Sequence, residues 1–437
     1  MNFLYTQKIK MTKKIVLSFT LFVTGLLGFS QENTSSPYSY YGLGDVRFRG
    51  TNDARAMGGL NITGDSINLN LLNPGSYSKL KLVNFVVGGT STFNNLKSNT
   101  SSEKATRTSL DYLAIGIPMG KFGASFGIIP YSAIGYKIQS STIDENNDGN
   151  PIQRNKQFAG DGNINKIYLG TAYSFSKKFS AGVNLEYNFG KVNNIFRESI
   201  IDLIDNSNVQ LGTREINSGE ISGLSLNFGL LYDTKITSKM KLYTSLTYQP
   251  EANLNLEKSR NVATVNYTIN GIELTANSID VDVPDSKLTV PSKFSLGTGI
   301  GETNKWLLGA ELTLANTKKQ NNIFDTSENI TFKNSQKFTL GGFYIPKYDS
   351  FSNYFSRIIY RGGFRYETSG LEIKNETIKD YGMNFGLGLP VGISKIDIGF
   401  EFGKRGTIKQ NLIQENYFNL SIGLSLSDKW FKRTLID

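Results

Sequence analysis

Apolar and polar residues alternate strictly near the end of the chain. Phe418, Leu420, Ile422, Leu424 and Leu426 share one face, and Asn419, Ser421, Gly423 and Ser425 share the other. A period of two is the mark of a strand with unlike faces, because successive side chains point to opposite sides. The pattern recurs in Ala181-Val183-Leu185-Tyr187-Phe189, in Leu224-Leu226-Phe228-Leu230, in Trp306-Leu308-Ala310-Leu312-Leu314 and in Ile396-Ile398-Phe400-Phe402. It predicts strands near 82–94, 106–118, 121–135, 165–175, 178–191, 221–233, 238–254, 290–301, 304–316, 336–346, 357–367, 380–391, 394–404 and 416–427.

A soluble sandwich also alternates, so the connections decide. Short ones (Met119-Gly120, Ser176-Lys177, Asp233 to Thr237, Glu302-Thr303, Lys347 to Ser356, Gly392-Ile393) take turns with long ones (95–105, 136–164, 192–220, 255–289, 317–335, 368–379, 405–415). Short turns below and longer loops outside are the layout of an outer-membrane barrel. The expected fold is all-β, a transmembrane antiparallel β-barrel of about fourteen strands, closed so that no edge is left unpaired in lipid. High glycine (44 residues) and aromatic content (12%) with few charges (19%) favour strands.

The amino terminus reads as an export signal. Met11-Thr12-Lys13-Lys14 is a positive start, Ile15 to Phe29 is apolar, and Gly28 and Ser30 suit a cut before Gln31. Residues 1–30 are therefore expected to be a signal peptide, with Met11 an alternative start, in a Gram-negative bacterium. No cysteine follows the cut to carry a lipid, and no later stretch approaches the roughly 18 apolar residues of a spanning helix. The formal charge of +10 includes four lysines in a segment without acid or arginine, which leaves 10 - 4 = +6 on the mature chain. The basic residues are dispersed, so nucleic acid is not an expected partner.

Between the signal and the first strand stand Asp53-Ala54-Arg55-Ala56-Met57-Gly58-Gly59-Leu60, Gly64-Asp65-Ser66 and Leu72-Asn73-Pro74-Gly75. This order resembles the amino-terminal signature of the FadL-like outer-membrane transport proteins, PorV-like members included. The resemblance implies a hatch at 31–81, a fourteen-stranded barrel at 82–437, and passive passage of hydrophobic small molecules across the outer membrane. For PorV-like members it implies the alternative role, a non-transporting subunit or scaffold of a secretion or assembly complex. Expected partners are outer-membrane lipid, with apolar ligands or other outer-membrane proteins according to the role. Two features depart from the family's pattern: Gly75 where many members have alanine, and an end at Lys432 to Asp437 without a terminal aromatic.

The resemblance also implies a side opening at a kink in the third strand, where this chain has Pro130 and Tyr131. Proline gives no N–H to the ladder, so Pro130 marks either such an opening or a bulge.

With neither histidine nor cysteine, triad and His/Cys metal chemistry are absent; no enzyme and no cofactor are expected. If the apolar faces meet lipid, Glu186, Glu311, Asp397, Glu401, Arg361 and Arg365 point into the lumen, the acids singly. Hatch arginines Arg47, Arg49 and Arg55 either bridge to these acids and hold the hatch, or the lumen charges pair across strands or are hydrated. Ile200, Ile201, Leu203 and Ile204 predict a short helix in the 192–220 loop, whose apolar face receives a ligand or partner or packs on neighbouring loops. Asp144, Asn146 and Asp148 resemble the start of a calcium loop, but Asn155 stands where the bidentate acid belongs, and a plain turn is the alternative.

Overall fold

A computed structural model describes residues 34–146, 148–204, 212–267, 273–324 and 329–429. Residues 1–33, which include the expected signal peptide, and Trp430 to Asp437 lie outside them. A two-residue strand β1 (Asp45–Val46) precedes β2 (Val83–Lys97), β3 (Ser102–Met119), β4 (Phe122–Glu145), β5 (Pro151–Ser174), β6 (Phe179–Asp202), β7 (Gly212–Lys235) and β8 (Met240–Gln249). Next come β9 (Ala252–Tyr267), β10 (Glu273–Val281), β11 (Ser286–Val290), β12 (Lys293–Glu302), β13 (Trp306–Ala315), β14 (Ile330–Phe332) and β15 (Ser335–Tyr344). The last described strands are β16 (Ile359–Ile373), β17 (Glu376–Val391), β18 (Ser394–Arg405) and β19 (Gln414–Asp428).

Fourteen of these make a closed antiparallel wall: β2 to β8, β12, β13 and β15 to β19. Closure runs through β19 against β2, from Gln414–Lys97 to Asp428–Val83. The wall is inside out relative to a soluble protein. Ser421 and Ser425 are buried, whereas Ile422 and Leu426 are about half exposed, like Phe126, Leu169, Leu308 and Phe385 elsewhere on the wall. A continuous apolar exterior of this kind suits only lipid. Aromatic rings gather at both rims of this band. Phe122, Tyr173, Phe175 and Phe179 pack together beside the short turns, and Phe93, Phe418 and Phe402 on the opposite side. The chain is thus an outer-membrane β-barrel.

The structure corrects three expectations. The connections at 136–164 and 192–220 are largely strand: β4 and β5 pair out to Glu145–Pro151, and β6 and β7 pair Phe179–Tyr232 through Glu198–Thr213. Beyond the lipid both faces of a strand meet water, so the ladder continues while the alternation that betrays it fades.

Second, the helix expected at 196–204 is the end of β6. Ile200 and Ile201 lie opposite Arg154 and Gln153, Leu203 donates its N–H to Pro151, and Ile204 lies exposed beyond the strand. Four apolar residues in five positions fit either period, and a neighbouring strand that satisfies the backbone decides for β.

Third, the acids of the lumen do not stand singly, as described below. At the β4–β5 tip the Asn146 side-chain oxygen accepts from the N–H groups of Asp148 and Asn150, and Asp144 pairs with Arg154. This is the geometry of a polar turn.

Candidate functional site: the hatch and the lumen

Residues 34–81 pack against the inward face of the wall. Two apolar clusters anchor them. Leu43 lies with Ile134, Tyr136, Ile164 and Val192, while Leu69, Leu71, Tyr77 and Leu80 lie with Val86, Tyr112 and Tyr168. Asn73 accepts the Gly75 N–H and donates to the Leu230 carbonyl, which fixes Asn73-Pro74-Gly75 against β7.

Charges join hatch to wall elsewhere. Arg49 donates to Glu401 and to Asp380, each at 3.0 Å. The same two carboxylates hold Arg365, at 3.1 Å each, and Arg365 also reaches Glu367 and the Tyr417 hydroxyl. Arg405 bonds Asp45 of the hatch at 2.9 Å and lies 3.5 Å from Asp380. Arg55 pairs with Asp111 at 3.1 Å, and Arg47 donates to Thr92. Bridging from the hatch and pairing across strands therefore occur together, on shared carboxylates. Arg361 pairs with Asp397, Glu186 with Lys166, and Glu311 accepts the Asn61 N–H. A small cavity among Arg47, Arg49, Arg55, Arg107, Asp45 and Glu415 measures about 50 Å³.

Pro130 interrupts the wall on both sides. Pairing of β3 with β4 stops at Leu113–Ile128, two residues earlier, and the β4–β5 register shifts between Pro130 and Ser132. The bulged Tyr131 accepts the Arg47 N–H through its carbonyl and lies under the Lys166 ammonium. Neighbouring β1 pairs with Ser132 and Ala133, on the β4 edge left by β3.

A family model described as BamG matches residues 11–437. The chain belongs to the BamG family. No curated protein matches it in sequence. Among solved structures, the Pseudomonas putida toluene transporter TodX is 14% identical with a TM-score of 0.56, over 90% of this chain and 100% of that one. The Ralstonia pickettii toluene transporter TbuX gives 12% and 0.52, over 91% and 99%. A Pseudomonas aeruginosa FadL homologue gives 10% and 0.52, over 88% and 98%. This BamG-family barrel therefore has the FadL-like fold.

In it the Ala56-Met57-Gly58-Gly59 run is a close contact between hatch and wall. Gly58 and Gly59 take φ of +76° and +88°, which side chains other than glycine resist. Opposite them, Gly341 and Gly363 pair across β15 and β16, and a Cβ on either would come within 2.2 Å of the Met57 backbone. Gly363→Val should therefore push Met57 off the wall and expose the hatch. Proteinase K digestion in detergent should cut the variant within 34–81 under conditions that spare the wild type, and equal resistance would contradict this contact.

Sequence reasoning missed Asp45, Asp111, Asp380, Arg405 and Glu415. Parity would have found Asp380, which shares a face with Gly382 and Asn384 in β17. Asp111 carried no such signal, because the register shift between Gly88 and Gly89 bulges it out of phase.

Proposed function

We propose that this chain is a plugged, non-conducting barrel that serves as a subunit of an outer-membrane machine for protein assembly or secretion. The observation that supports the reading is the way residues 34–81 are tied to the wall: Arg49 shares the buried carboxylates of Asp380 and Glu401 with Arg365, so an opening would strip several charges of partners at once. The BamG match adds a link to an assembly complex. A polar cavity of about 50 Å³ is also small beside the roughly 150 Å³ apolar cavity that holds benzene.

Passage of hydrophobic small molecules is the second reading. The break in β3–β4 pairing beside Pro130 favours it, as a place where an apolar molecule would leave sideways into lipid. Depletion from cells separates the two. Under the subunit reading, the folded fraction of other outer-membrane barrels falls severalfold on unheated gels while uptake of labelled toluene is unchanged. Lost uptake with normal barrel assembly would overturn it in favour of transport.

A further inference from the structure

Among the described residues, β4 pairs with β5 along its whole length, from Phe122–Tyr173 to Glu145–Pro151, but with β3 only as far as Ile128. Past that point the hatch takes the β4 edge. Strand β1 pairs with Ser132 and Ala133, and the Gly135 N–H donates to Ser39 Oγ at 3.1 Å. From Lys137 to Glu145 every residue is exposed, and no described segment pairs with this edge. At about 3.3 Å per residue the open stretch is some 30 Å long.

Proteins blunt such edges with prolines, charges, bulges or short length, because a bare ladder recruits other strands. Here Lys137-Ile138-Gln139-Ser140-Ser141-Thr142-Ile143 has one charge, at its start, no proline and an unbroken register with β5. Its β-branched residues favour an extended chain, and Ile143 is 74% exposed.

We propose that a partner protein adds an extended strand to this edge, pairing backbone to backbone with β4 between Lys137 and Ile143, in line with β1. The hatch strand already pairs antiparallel on the same edge, so its geometry accepts one. A lipid tail or small apolar ligand offers nothing to a row of N–H and C=O groups, whereas an extended peptide satisfies all of it. The inference rests on the subunit reading and names one of its contacts.

Backbone direction alternates along a strand, and the Gly135 N–H points to the open side, so those of Gln139 and Ser141 do too. Gln139→Pro with Ser141→Pro therefore removes two donors from the edge and none from the β5 ladder. The complex is purified from native membranes in mild detergent, with a photo-crosslinking residue at Gln139 or Ser141 in otherwise wild-type chains. Adducts are expected on one partner segment, two residues apart, and the proline variant should retain the heat-modifiable barrel while recovering about tenfold less complex.

Hydrogen exchange on the wild-type complex gives a readout independent of that variant's folding. The edge-facing amides of Lys137, Gln139, Ser141 and Ile143 should exchange at least about tenfold more slowly in the complex than in the isolated barrel. Crosslinks to lipid alone, or unchanged exchange in an intact complex, would overturn the strand-addition site while leaving the subunit reading in place. A wild-type barrel that purifies with lipid and no protein would instead overturn the subunit reading.

Discussion

Arg365→Met should destabilise the barrel by about 3–5 kcal/mol, the largest loss expected of any single substitution in the lumen. Arg365 is 1% exposed and binds Glu367, Asp380, Glu401 and the Tyr417 hydroxyl. Methionine fills similar volume, so the loss is electrostatic: Asp380 and Glu401 stay buried with one fewer cation between them. Arg49 and Arg405 remain near Asp380, which keeps the loss from being larger. Arg365→Lys should fall between, because a single ammonium cannot fork to two carboxylates. Urea titration in detergent, followed by circular dichroism, measures both. A loss under about 1 kcal/mol for the methionine variant would mean that water already solvates these carboxylates and that the lumen is open.

Deleting residues 34–81 should turn a silent barrel into a pore. Barrel diameter grows with strand number: about eight strands leave room only for side chains, and sixteen to eighteen leave an aqueous channel. Fourteen strands enclose more space than inward side chains fill, and here hatch residues occupy the remainder. Planar-bilayer recordings should show no steps for the intact protein and stable single-channel steps for the deletion variant, with proteoliposome swelling at least about tenfold faster. The deletion also strands Asp380, Glu401 and Asp111 with fewer cations, so the emptied lumen should prefer cations. Equal conductance before and after deletion would remove the occluded lumen, and with it the main support for the subunit reading.

The wall was legible because lipid and lumen impose opposite demands on alternate residues. All fourteen wall strands can be placed from Phe418 to Leu426 and its counterparts, and the inward placement of Glu186, Glu311, Arg361, Arg365 and Glu401 follows from parity alone. The rule ends where lipid ends. The polar outer halves of β4 to β7 look like loops, and Ile200, Ile201, Leu203 and Ile204 look like a helix, because in water neither face need be apolar.

Residue order alone gives the fourteen wall strands and their outward and inward faces. The folded barrel sets which charges share a carboxylate, since Arg49 and Glu401 are 352 residues apart and meet because closure brings β17 and β18 beside the hatch. It also decided that β3 leaves β4 at Leu113–Ile128. Alternation fixes the direction of each side chain but says nothing about which neighbour a strand keeps, because that depends on backbone hydrogen bonds every residue can make.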